Sequence, residues 1–199
     1  MRPKLTFNKM RGHLHTIHLH RKWVRHYCFL AGIKWRGLVH DLSKYSPIEF
    51  FESACYWNGT STPIVEAKKN EGISYAWLHH KGHNSHHYEY WMDNFDDGGI
   101  ARLIPEKDFV ELVCDYLAAA HSYNSTFSYA AENEWWQKRR EHCSMNYANK
   151  IMLDSLFSIL AIAEKDSPTN PDYLPPETLI KYGIIQEIWR TNKDVAENK

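Results

Sequence analysis

Apolar residues recur three and four positions apart along most of the chain, while the strict alternation of half-buried strands is scarce, so the pattern predicts a mostly helical fold. His13, Ile17, His20, Val24, Tyr27 and Ala31 share one helical stripe, with Gly32 as its stop. A shorter helix is expected from Trp35 to Leu42. The sequence "SPIE", Ser46 to Glu49, fits a capping box with proline at the first helical position and predicts a helix from Pro47 to about Tyr56. Asn58 to Gly72 reads as a loop with about one turn of helix. Helix is expected again near Ser74 and near Asn84 or Ser85, with a bend at "KGHN" between them. "DNFDDGG" reads as a loop, and Pro105 opens a helix through about Tyr123 that turns Phe109, Leu112, Val113, Tyr116 and Ala120 inward. "NSTFSYAAENEWWQKRR" is ambiguous. Ala148 to Glu164 is a strongly apolar helix, "SPTNPDYLPP" a loop, and Glu177 to Arg190 a last amphipathic helix.

Composition narrows this to a folded chain: 43% hydrophobic, 14% aromatic and 24% charged residues over 199 positions suit one domain with a substantial core. No apolar run approaches the roughly 18 residues that a membrane span needs, and the first twenty residues lack a signal-peptide core. A cytoplasmic protein without membrane partners is the expectation. Cys28, Cys55, Cys114 and Cys143 show no metal-thiolate spacing and read as buried thiols. The net charge of zero hides an asymmetry, because the first forty residues carry nine Lys or Arg and no acid. That basic stretch can attract an anionic ligand, or it balances an acidic face elsewhere in the fold.

Histidine changes the picture most. His40 and Asp41 stand side by side in "GLVHDLSKYSPIEFFES", and "WLHHKGHNSHHYEYW" packs His79, His80, His83, His86 and His87 into a short span. Imidazole and carboxylate together hold zinc, manganese, iron or nickel, and an adjacent His-Asp pair can serve one or two ions. His20 lies on the inward stripe of its helix, whereas His15 and His18 lie off it. Within each of the pairs His79/His80 and His86/His87, one ring is expected to be a ligand and the other to support it or face substrate. Asp115 sits at the edge of an apolar helix face, where a carboxylate is costly without a cation or donor. The tyrosines Tyr88 and Tyr90 with Trp91 read as core or as a stacking surface for a base.

The order His20, His40-Asp41, a histidine cluster and then Asp115 resembles the HD superfamily of metal-dependent phosphohydrolases, and "HDLSK" is similar to the "HDxGK" form of many members. "WRGLVHDLSKYSPIEFFES", "AWLHHKGHNSHHYEYW" and "VCDYLAAAHSYN" resemble more closely a bacterial and phage family catalogued as a domain of unknown function, over most of the chain to about Asn124. The superfamily resemblance implies an HD-like helical bundle as one domain over residues 1–199, with a metal-site core at about 13–124 and helices at 145–190 packed on it. It implies His20, His40, Asp41 and Asp115 as ligands of a first ion, one or two of His79, His80, His86 and His87 on a second, and Lys44 on a substrate phosphate. Ser43 departs from the usual glycine, and the "DGxGYP" sequence is absent.

The expected function is hydrolysis of a nucleotide or other small anionic phosphate ester, with one or two divalent ions (Mn, Fe, Ni or Zn), Lys44 on the phosphate and His83 among the proton carriers. The competing reading is a non-catalytic, metal-stabilised protein that binds a nucleotide or nucleic acid through its basic amino-terminal face. A di-iron oxygenase is a third.

Overall fold

The computed structural model describes residues 2–93, 99–123 and 126–196. It is all-α: ten α-helices and short 3₁₀ turns make up 73% of it, with one two-residue strand pair, Met92–Asp93 against Ile100–Ala101, among the described residues. Most of the expected "DNFDDGG" loop lies outside the described residues.

Helix α1 (Phe7–Leu30) is capped by Thr6, whose hydroxyl accepts from the Lys9 amide, and it buries His13, Ile17, His20, Val24, Tyr27 and Cys28 as the stripe predicts. The chain then turns through Gly32 into α2 (Lys34–Val39). Gly37 lets α2 cross close to α1, since a Cβ there would lie 2.6 Å from the Cys28 Cβ. A 3₁₀ turn, Leu42–Tyr45, replaces the expected end of that helix and leads into α3 (Pro47–Tyr56).

Three expectations are corrected. The presumed loop after Asn58 contains a full helix, α4 (Pro63–Glu71): Thr62 caps it, Pro63 begins it and left-handed Gly72 ends it, which outweighs its charged composition. No α-helix begins at Asn84 or Ser85; after α5 (Tyr75–His83) the chain passes through a turn and a 3₁₀ segment, Tyr88–Trp91. The last helix is broken in two, α9 (Pro176–Lys181) and α10 (Ile184–Asn192), because Gly183 adopts φ +88° between them. The ambiguous segment forms α7 (Tyr129–Arg139).

Helix α6 (Glu106–Tyr123) is the common wall. One side meets α8 (Tyr147–Asp166) and α10 through Phe109, Leu112, Val113 and Leu117, packed with Trp136, Leu153, Leu156, Phe157 and Ile188. Each fully buried side chain of this size contributes roughly 1.5–3 kcal/mol. Polar groups entering this core are paired: Asn149 accepts from the Ile104 amide at 3.0 Å, and Trp189 donates to the Ile104 carbonyl at 2.8 Å. The other side of α6 carries Glu111 and Asp115 toward α1 and α2.

Candidate metal centre

The opening chemistry of the sequence is explained by one reversal of the chain. Helix α2 stops at Val39, His40 is extended, and Asp41 takes φ +56°, ψ +28°, the only positive φ outside glycine among the described residues. Aspartate tolerates this left-handed conformation better than most residues, at a cost of order 1 kcal/mol or more. The bend turns both polar side chains inward, to 2% and 1% exposure, and leaves the flanking Val39 and Leu42 outside at 37% and 52%. The ordinary burial order is inverted, which stability alone does not favour.

Two groups of donors meet at Asp41. Around its Oδ2 lie His20 Nε2 at 3.5 Å and His40 Nε2 at 3.2 Å; Asp115 Oδ1 is 3.0 Å from the former and 3.5 Å from the latter. Around its Oδ1 lie His80 Nε2 at 3.4 Å and His86 Nε2 at 3.5 Å, with His87 in the same group. Ligands bound about 2.1 Å from one ion at angles between 90° and the tetrahedral value stand roughly 3.0–3.4 Å apart. The observed separations fall in or at the edge of that range.

The unsatisfied atoms point the same way. His20 Nε2, His40 Nε2, His86 Nε2, His87 Nε2 and Asp41 Oδ1 are buried without a hydrogen-bond partner among the described residues, while Asp41 Oδ2 meets the Lys44 ammonium. Buried polar atoms are ordinarily paired, so a cluster of orphans converging on one carboxylate fits a cation. These buried His/Asp groups could hold a metal ion.

A second layer fixes the rings. His40 Nδ1 donates to Glu111 Oε1 at 2.8 Å, and His86 Nδ1 lies 3.4 Å from the same oxygen. His80 Nδ1 donates to Glu49 Oε2 at 2.8 Å. A proton held on Nδ1 leaves Nε2 with a lone pair aimed inward, which is how outer carboxylates orient metal-binding histidines. Glu111 is itself held by Arg36, whose Nε lies 2.5 Å from Oε2 and whose guanidinium also binds Asp108. Arg36 is therefore occupied internally and is not the substrate-facing cation its position in the basic stretch suggests.

Burial opposes ionisation of Asp41, but His40, Lys44 and His80 outweigh it and hold its carboxyl well below the usual range. Asp115 is likewise pulled down, against its burial, by His20 and His40. Burial also opposes a charge on His40, yet Asp41, Asp115 and Glu111 raise its pKa well above that of free imidazole. His87 is pushed well down by burial and by its histidine neighbours. The carboxylates of the centre are thus partly offset by His40 and Lys44, with neutral imidazole at its His86/His87 side.

Of the residues singled out from sequence, His20, His40, Asp41, His80, His86, His87 and Asp115 come together. His79 does not: its Nδ1 donates to Glu49 Oε1 at 2.6 Å, beside His80 rather than facing Asp41. His83 is exposed, donates to the His79 carbonyl at 2.7 Å and stacks on the His79 ring at 4.0 Å. Lys44 Nζ lies 2.5 Å from Asp41 Oδ2. It lines a cavity of about 160 Å³ together with His13, His20, His80 and Asp115. Burial and then Lys44 push His13 down to about 4. A separate opening of about 330 Å³, lined by Trp35, Arg36, His40, Asp41, His83 and His86, reaches the centre from the other side.

Sequence reasoning missed Glu111, and for Glu49 it preferred a capping role to one of supporting Lys44 or the metals. Ser46 makes no side-chain cap bond, and Glu49, 2% exposed, turns to His79 and His80 instead. Glu111 was legible as the residue one turn before Asp115 on the same helix face. Tyr88 and Trp91 pack against the main core, and Trp91 donates to the Ser85 carbonyl, steadying the turn that carries His86 and His87.

No helix among the described residues is long and apolar enough to cross a membrane. No curated protein and no solved structure matches the chain. A family model described as "Family of unknown function (DUF5662)" matches residues 9–161, well over half of the chain, and the protein belongs to that family.

Proposed function

Family membership brings no activity with it, and we propose from the centre itself that this protein is a metal-dependent phosphohydrolase with an HD-like site, acting on a nucleotide or other small phosphate ester. The observation that carries this reading is the pair of donor groups sharing Asp41, with Lys44 beside them at the wall of a cavity. His20, His40, Asp41 and Asp115 would hold one divalent ion, and Asp41, His80, His86 and His87 a second. Such ions, when bound, acidify water and offset charge on a phosphoryl group.

The chain supplies the rest. Glu111 and Glu49 hold the imidazoles of His40 and His80 in place, so the donors do not reorganise on binding. Lys44 reaches the same cavity as His20, His80 and Asp115 and pairs with a phosphate oxygen there. His83 borders the second opening and would carry a proton between the centre and solvent. Ile17, Ile64 and Ala76 give the small cavity apolar walls that limit competing water.

The test is a screen of phosphate esters with manganese, iron, nickel and zinc, followed by Lys44→Ala. Hydrolysis that falls at least 100-fold in a variant still folded and metal-bound supports the reading. Absence of turnover with every ion and ester contradicts it.

One observation favours a second reading, binding of nucleic acid on the basic face. Lys22, Arg25, Lys34 and Lys181 line one cleft of about 710 Å³ with Phe29 and Leu38. That reading predicts affinity for oligonucleotides that falls steeply with salt and does not need metal.

A further inference from the structure

The small cavity at the centre does not end there. Thr62, Asp115 and Ala119 also line a larger cavity of about 530 Å³ between α4, α6 and α7, whose other walls include Tyr116, Glu132, Trp135 and Arg139. A volume of this order suits a small organic ligand. The cavity at the centre, about 160 Å³, has room for little beyond the phosphate end.

Glu132 is the anomaly in this larger space. It is 6% exposed, and no hydrogen bond or ion pair engages its carboxyl among the described residues. Helix capping does not need it, because Ser128 already caps α7. Burial alone pushes its carboxyl up to about 7. Its side chain is buried while its carboxyl oxygens keep access to the cavity, so a ligand there can bring hydrogen bonds to a poorly solvated carboxyl. Trp135, one turn further along α7, is 39% exposed and meets the Tyr116 ring edge-on at 5.3 Å. An aromatic wall of this kind rewards a planar ring. Arg139, whose guanidinium lies 5.6 Å from the Trp135 ring, adds a positive charge to the same cavity and disfavours a cationic ligand. A neutral planar ring with N–H groups on one edge satisfies all three walls.

We propose that the cavity between α4, α6 and α7 receives the base of a nucleoside phosphate, with Glu132 hydrogen-bonding the ring edge, Trp135 stacking on its face, and the phosphate lying at the His/Asp centre. The phosphate end rests on the phosphohydrolase reading above; the base end stands on Glu132 and Trp135. Substrate selection therefore resides in α7, outside the histidine clusters.

The experiment is calorimetric titration of the metal-loaded protein with adenosine, guanosine, cytidine and uridine, which lack phosphate, and with ribose 5-phosphate, which lacks a base. Turnover of ribose 5-phosphate and of the four nucleoside monophosphates is measured alongside. At least one nucleoside is expected to bind the parent protein, with affinity at least tenfold lower in both Glu132→Leu and Trp135→Ala. Binding of none of the four, or binding unchanged in both variants, overturns the base pocket. Glu132→Leu removes a poorly solvated carboxyl and is expected to fold; if it does not, Trp135→Ala alone decides. Turnover of ribose 5-phosphate without nucleoside binding overturns this inference and leaves the phosphohydrolase reading standing. Nucleoside binding, lost in the variants, without turnover of any ester keeps the pocket and overturns the reaction.

Discussion

Helix α6 separates two buried regions built on opposite principles. Toward α8 and α10, Phe109, Leu112, Val113 and Leu117 meet apolar partners, and polar intruders such as Asn149 have their hydrogen bonds. Toward α1 and α2, the same helix presents Glu111 and Asp115 to His20, His40 and Asp41, and several of the donor atoms there have no partner. The first region is complete as protein. The second has the donors to hold a cation, and its buried unpaired nitrogens are a cost that apolar packing does not explain.

Asp41→Asn keeps a residue that tolerates φ +56° but removes the shared charge, so phosphoester turnover is expected to fall by at least about 10³-fold in steady-state assays, with helical circular dichroism retained. On the other side of α6, Leu112→Ala is expected to cost about 3 kcal/mol in urea unfolding, equally with and without metal, because it opens a cavity in a core that no ion touches. If metal rescued that variant, the two regions would not be energetically separate. Glu111→Gln keeps size and burial but weakens the grip on His40 Nδ1 and Arg36; metal affinity should fall roughly 10- to 100-fold by competition with a chelating dye.

The smallest effect concerns Glu132 and pH. Its carboxyl is raised from 4.5 to about 7, so the folded state binds more protons than the unfolded state between those values. Stability from this group is present below pH 4.5 and is lost as pH rises toward 7. Glu132→Gln should flatten that part of the stability profile measured by thermal unfolding; an unchanged profile would mean that the carboxyl is better solvated than its burial implies.

The sequence carried the helices whose apolar spacing is regular, and the stripe from His13 to Tyr27 is buried as read. It concealed α4, because "EAKKNEG" has a loop's composition and its helix is made by Thr62, Pro63 and Gly72 at the ends. It concealed the break at Gly183, since a helical apolar period runs through both α9 and α10 and only the left-handed glycine divides them. At the centre, His20 and Asp115 were legible as polar residues on or beside an apolar helix face and His40 and Asp41 as an adjacent pair, while their grouping came from the resemblance to the HD superfamily. The choice among His79, His80, His86 and His87 was not legible. It depends on α5 ending at His83 and on Trp91 and Ser85 setting the following turn, which together bring both His86 and His87 to Asp41 and leave His79 on Glu49. Glu111 escaped notice because its partners, Arg36 and His40, lie more than seventy positions away.

The most direct measurement is metal content per chain, by elemental analysis of protein purified without an affinity tag, for the parent and for Asp41→Asn. A metal centre at Asp41 predicts one or two equivalents of a divalent transition metal in the parent and their loss in the variant. Folded parent protein that holds no metal, and takes up none when manganese, iron, nickel and zinc are added, would contradict it.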